Sequence, residues 1–327
     1  MNLKTCCLLS GAMALALVAE PVTAKEKLSI ALNVDPSHAA MTYAIRKGKV
    51  SSDLVELDIH LLDVNALTQA ASTKRFDILQ FSALAVPRAI TQGLSMKILG
   101  ISSNGPPGSG RDIWVKKDSP LKKPEDLKGK TLGVYSLATG SVTLVRIALW
   151  KHFGFNVSAT NGDFTMKQMQ MTAMPAALAT GQLDASMLSN IQAYRAGRSG
   201  DFRSLISTDR INIDLFGSRP VAAVFIGYTE KLATRSDAYR AAMLMLRDSR
   251  NYARSHPEEV YGAVAAEQQV DEHFLRIWED EYQGFPVTIN DKDIAAIDKL
   301  WNWSKELGIV PALVPAASTI WDGAPRG

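Results

Sequence analysis

Between Leu28 and Ile101 the hydrophobic pattern switches repeatedly between two periods. Segments that alternate as strands, Leu28–Val34, Val55–Leu61, Phe76–Gln80 and Met96–Ile101, are separated by helix-type segments. These are Ala39–Lys47, Val64–Ser72, and one opened by Ser82 and stopped at Gly93. Strands that alternate with helices across short connections predict a largely parallel sheet covered on both faces. Ligands of such sheets bind beyond the carboxyl ends of the strands. Those ends fall at Asn33–His38, Gln80–Ser82 and Ser102–Asn104.

The pattern then restarts. Asp112–Lys116 reads as a strand, followed by a lysine-rich connector punctuated by Pro120, Pro124 and Gly129. Thr131–Tyr135 is a buried-type strand, Ser136–Ser141 a polar turn, and Val142–Phe153 a helix. A strand that runs through a Ser/Thr/Gly turn into a helix aims free backbone N–H groups and hydroxyls at one point. That arrangement favours an anion or a strong acceptor. Further on, a helix starts at Met174 and ends at Gly181, and Leu183–Leu188 is a strand. Ser189 and Asn190 sit at that strand's end, before the helix Ile191–Arg198 and the strand Phe202–Ser207. Val221–Gly227 is an apolar strand, and the rest is mostly helical: Asp237–Ser255, Pro257–Gln268, Asp271–Gln283 and Asp291–Leu307. The methionines from Met166 to Met174 read either as core filling or as a soft apolar wall for a ligand. Glu279, Asp280 and Glu281 read as a solvated helical stretch, and the segment from Pro311 as a surface wrap.

The segment IWVKKDSPLKKPEDLKGKTLGVYSLATGS resembles the start of the second lobe in periplasmic substrate-binding proteins of ABC transporters, of the nitrate/sulfonate/taurine type. Ser119, Pro120, Asp126, Leu127, Lys128, Gly129, Lys130, Gly133, Val134, Gly140 and Ser141 carry the likeness. AALATGQLDAS (Ala176–Ser186) and FDILQFSALAVPRAITQG (Phe76–Gly93) extend it over most of the chain. The resemblance implies an α/β fold of the periplasmic-binding-protein type II. Two lobes would be joined by two crossing segments, near Arg111 and Pro220, with the ligand in the interlobe cleft. Residues 25–111 and 222–327 would form the first lobe, and 112–221 the second. It also implies delivery of the ligand to a membrane permease, by a protein expected to be monomeric. Related enzymes on the same fold, the pyrimidine-precursor synthases and sulfinate desulfinases, use cysteine.

Both cysteines of the chain, Cys6 and Cys7, lie in a segment that reads as a secretory signal. Lys4 precedes an apolar run from Cys6 to Val18, and Val22-Thr23-Ala24 supplies the small-residue cleavage pattern. The run is too short for a membrane span, which takes about 20 apolar residues. Cleavage after Ala24 gives a periplasmic chain without cysteine, and so without disulfides, cysteine metal sites or a cysteine nucleophile. At roughly 300 residues it can build an ordinary core without them. The formal charge of +3 is interspersed along the sequence, which leaves no nucleic-acid footprint. The five histidines form no metal-ligand pair at helical spacing. Gly129-Lys130-Thr131 fails as a phosphate loop because its first glycine would fall on Pro124. No cofactor, metal or catalytic centre is therefore expected, and the chain reads as a binding protein rather than an enzyme.

The expected ligand contacts are carried over by position from the resemblance. They are Asp35, Ser37 and His38 after the first strand, and Gln80, Phe81 and Ser82 after the third. The second lobe supplies Ser136, Thr139, Gly140 and Ser141, then Ser189 and Asn190. Each hydroxyl taken alone is also an ordinary helix cap. Tyr135, Met187 and Phe81 offer apolar lining. These turns contain no Lys or Arg yet several start helices, which predicts a small organic anion, a sulfonate or carboxylate. Asp35 points the other way, towards an amine, a zwitterion or a neutral or cationic vitamin-precursor heterocycle.

Overall fold

The computed structural model describes residues 24–105, 111–188 and 190–327, so most of the expected signal segment and Ser189 lie outside the described residues. Two five-stranded sheets organise the chain. The first contains β1 (Glu26–Asn33), β2 (Val55–Leu62), β3 (Ile78–Ser82), β4 (Met96–Asn104) and the late strand β10 (Val221–Tyr228), in the order β2-β1-β3-β10-β4. The second contains β5 (Ile113–Lys116), β6 (Thr131–Val134), β7 (Thr165–Gln168), β8 (Ala185–Met187) and β9 (Phe202–Ile206), in the order β7-β6-β8-β5-β9. The fold is α/β with two lobes, one around each sheet.

Each sheet is parallel except around one strand. β1 runs parallel to β2 and β3, and β6 runs parallel to β7 and β8. β10 is antiparallel to β3 and β4, and β5 is antiparallel to β8 and β9. The exceptions are the strands that the chain reaches directly from the other lobe. Ordinary strands in each lobe run towards the other lobe and end facing it. A strand arriving from the neighbouring lobe starts at that junction and runs away from it, so it pairs antiparallel. The register agrees: Val221 at the start of β10 lies opposite Asn104 at the end of β4, and Ala223 lies opposite Ser82.

Local chemistry accounts for most element boundaries. The helix Gly140–Phe153 starts where Thr139 Oγ1 accepts from Val142 N, and stops at Gly154 in the left-handed region (φ 71°). The helix expected over Ala39–Lys47 is split into Pro36–Met41 and Tyr43–Arg46. Thr42 sits at the break, with its hydroxyl donating to the His38 carbonyl at 2.8 Å, a local competitor of the helix ladder. Asp271–Gln283 becomes a short α-helix, Glu272–Ile277, followed by a π-turn, Trp278–Tyr282. Met166 and Met174 are buried in core, and Met169 and Met171 pack half-buried against it. Met187, expected as lining, is also fully buried, in the apolar core of the second lobe. Glu279 is not solvated as expected: it is buried and paired with Arg250 and Arg254. The segment from Pro311 packs as well as wraps, since Ile320 bridges to Ile98 on β4 and is buried. No helix among the described residues is long and apolar enough to cross a membrane.

Candidate functional site

Four of the expected contact residues meet across the gap between the lobes. The Gly140 N–H, at the start of its helix, donates to Ser82 Oγ at 3.0 Å. Asn190 Nδ2 donates to Asp35 Oδ2 at 3.1 Å. Gly140 permits the first contact, because a Cβ there would lie 2.5 Å from the Ala222 carbonyl oxygen at the start of β10. A side chain at that position would hold the lobes apart.

On the first-lobe side the site is rich in acceptors. Asp35 caps the short helix Pro36–Met41: its Oδ1 accepts from Ser37 N at 2.8 Å, so the negative charge already occupies that helix start. His38 is buried (1% exposed) and its Nδ1 lies 2.8 Å from the Asn33 carbonyl. A carbonyl only accepts, so Nδ1 carries the proton and Nε2 is an acceptor. That Nε2 is buried without a partner. Burial pushes the imidazole below its ordinary pKa, with the nearby Asp35 charge and the Asn33 carbonyl opposing, so the ring is neutral. It packs against Phe285 at 4.6 Å between ring centroids.

On the second-lobe side the polar turn is bonded within itself and to the first lobe. Thr139 Oγ1 donates to the Ser136 carbonyl at 2.9 Å and caps the helix, and Ser136 Oγ accepts from Ala138 N. The Gly140 amide is taken by Ser82, whereas Ser141 is half-buried. The Tyr135 phenol lies over this turn: burial pushes its pKa up, and the Ser141 and Thr139 hydroxyls act the other way.

The remaining expected residues have other work. Gln80 Oε1 accepts from Asn33 N at 2.7 Å and ties the ends of β1 and β3 together. Phe81 is buried in the first lobe's core, opposite Val224 on β10. Ser37 is buried inside its helix. Among the described residues no group of three His, Cys, Asp or Glu could hold a metal ion.

A family model described as NMT1/THI5 like matches residues 36–260, more than half of the chain. The chain belongs to the NMT1/THI5-like family. No curated protein matches this member of it. Among solved structures, the periplasmic aliphatic sulphonate binding protein SsuA from Escherichia coli superposes with a TM-score of 0.73 at 15% identity, covering 93% of this chain and 94% of its own. The alkanesulfonate-binding protein SsuA from Xanthomonas axonopodis pv. citri, bound to MOPS, gives a TM-score of 0.70 at 15% identity over 91% and 99% of the two chains. A Candida albicans protein with the generic periplasmic binding protein fold gives 0.69 at 12% identity over 92% and 98%. At such identities the likeness establishes the fold, that of the periplasmic binding proteins.

In this family member several polar residues at the lobe junction escaped the sequence reading. Arg111 Nε donates to Asp209 Oδ1 at 2.6 Å, in a pair almost wholly buried at the first crossing. Beside it, burial pushes the Asp112 carboxyl up to about 7; the Ser204 hydroxyl opposes this and the Asp209 charge adds to it. The Tyr194 hydroxyl donates to Asp271, a further contact between the lobes. The helix Thr208–Phe216, which carries Asp209, was not expected at all. The one sequence signal for the buried pair was an arginine beside an aspartate at a crossing, with its partner nearly a hundred residues away.

Proposed function

We propose that this is a periplasmic substrate-binding protein that captures a small organic solute between its lobes and delivers it to the permease of an ABC importer. The sulfonate-binding roles named for the two SsuA structures support an organic acid as cargo. Supporting it too is the turn at Thr139–Ser141, a hydroxyl-rich helix start of the kind suited to a sulfonate or carboxylate. One observation refines that cargo. Asp35 and the neutral His38 Nε2 are both acceptors, held together at the first-lobe end. A bare anion would leave them facing like charge or an unpaired lone pair. The cargo we infer is therefore an organic acid that also carries an N–H donor, an amino-sulfonate or amino-carboxylate in class. A neutral or cationic heterocycle is the second reading, favoured by the same two acceptors. Catalysis is not part of the proposal, since the cysteine used by same-fold enzymes is missing after Cys7.

A thermal-shift panel on the chain starting at Lys25 tests this. It would contain amino-sulfonates, alkyl-sulfonates, carboxylates, amines and neutral heterocycles. The largest rise in Tm is expected from the compounds that combine acid and amine. A rise with alkyl-sulfonates of equal size restores the plain anion, and a rise with amines or heterocycles alone removes the acid. Recovery of a chemically altered ligand after incubation would sink the binding-protein reading.

A further inference from the structure

A cavity of about 710 Å³ lies at the other end of the helix that begins at Gly140. That helix is about 20 Å long at 1.5 Å per residue, so the cavity is remote from the cleft. Both lobes line it. Arg146, Trp150 and the loop 154–160 come from the second lobe, and Arg88, Glu306 and Ile309 from the first.

Arg146 is the anomaly. It is 6% exposed, yet its only hydrogen bond among the described residues runs from Nε to the Val157 carbonyl at 3.1 Å. No carboxylate among the described residues pairs with it. Burial pushes its guanidinium below the ordinary arginine range, with no neighbouring charge to offset that cost. A buried cation that lacks a counter-charge is expensive, and proteins ordinarily pair it. The nearest acid on the wall, Glu306, is engaged with Lys151 at 3.0 Å. Arg88, exposed at the rim, donates from Nη2 to the Ile309 carbonyl at 2.7 Å and has no carboxylate partner among the described residues. The cavity thus holds two arginines, with its single acid already neutralised.

We propose that this cavity binds a multivalent oxyanion, of phosphate or polycarboxylate type, between Arg146 of one lobe and Arg88 of the other. Arginine's planar fork suits such oxygens. An anion there contacts both lobes at once, at a place separate from the cleft cargo. The inference does not depend on what the cleft binds.

The test is calorimetric titration of the chain from Lys25 with inorganic phosphate and, separately, citrate, with ionic strength held constant by sodium chloride. Saturable one-to-one binding of either anion is expected, weakened at least tenfold by Arg146→Gln and several-fold by Arg88→Gln. Binding of phosphate alone identifies a compact oxyanion, and binding of citrate alone a polycarboxylate. Arg88→Gln changes an exposed side chain and should leave the fold intact, so it decides the matter if Arg146→Gln fails to fold. Absence of saturable binding for both anions, or binding unchanged in the folded variants, would overturn the proposal.

Discussion

The two lobes touch in two quite different ways. On the cleft side the contacts are single polar pairs: Gly140 to Ser82, Asn190 to Asp35, and Tyr194 to Asp271, with the Tyr194 ring set against Phe274 and Tyr282. Along the helix behind the cleft the contacts are apolar and deep. Leu144 and Ile147 of the second-lobe helix are fully buried in the core that contains Leu79, Val224 and Trp301. Phe216 meets Trp303 edge-on at 4.9 Å, and Lys299 donates to the carbonyls of Leu215 and Phe216. A polar pair exchanges with water at a net of about 0.5–1.5 kcal/mol. A buried Leu or Ile loses roughly 1.5–3 kcal/mol on exposure. The difference predicts that, on opening, the cleft side parts while the apolar seam and the crossings stay closed.

The largest effect is expected at the crossing. Asp209→Ala leaves the Arg111 guanidinium buried without its charge partner and should cost about 3–5 kcal/mol of stability. Leu144→Ala follows, at about 2–5 kcal/mol for a fully buried leucine at the seam. Denaturant midpoints measure both. A loss below 1 kcal/mol in each would mean that the seam and crossing are not the fixed part of the molecule.

Asp112 gives the crossing a pH dependence. Its folded pKa, raised to about 7, lies above the ordinary aspartate value of 3.8. The folded state therefore holds a proton that the unfolded state has released between those values. Its contribution to stability is complete below about pH 4 and is lost as pH rises through about 7. Asp112→Asn should remove that decline and make the protein more stable than wild type at pH 8, on the order of 1–3 kcal/mol. Parallel stability profiles from pH 4 to 8 for the two proteins would refute the assignment.

The architecture was legible because each lobe declares itself by period. β1 to β4 follow from their apolar runs, although the helix after β1 is split at Thr42, and Pro257 to Gln268 has the bounds that its sequence suggests. The cleft positions were legible as strand ends. Their use was not. Asp35 before Pro36 carries the ordinary helix-cap signature, but nothing in the sequence says that His38 presents a neutral acceptor, because that depends on burial and on Asn33. The pair Arg111 and Asp209 was invisible for a similar reason: the fold joins 98 positions of separation that no local pattern links. Likewise Glu279 looked solvated until Arg250 and Arg254 were seen beside it.

The smallest effect on stability tests the comparison most sharply. Ser82→Ala and Asn190→Ala each remove one polar pair across the cleft, and each should cost less than about 1.5 kcal/mol, since water replaces the lost partner. Their combined effect on shape should be larger than their effect on Tm. Both pairs bridge the lobes, so losing both is expected to shift the hinge equilibrium towards open without disturbing either core. Small-angle scattering of the ligand-free double variant should then show a larger radius of gyration than wild type at nearly equal Tm. Leu144→Ala should do the reverse, lowering Tm while leaving the radius of the folded protein unchanged. An unchanged radius in the double variant, with a Tm loss as large as that of Leu144→Ala, would mean that the cleft contacts are part of one rigid interface and that the lobes do not part there.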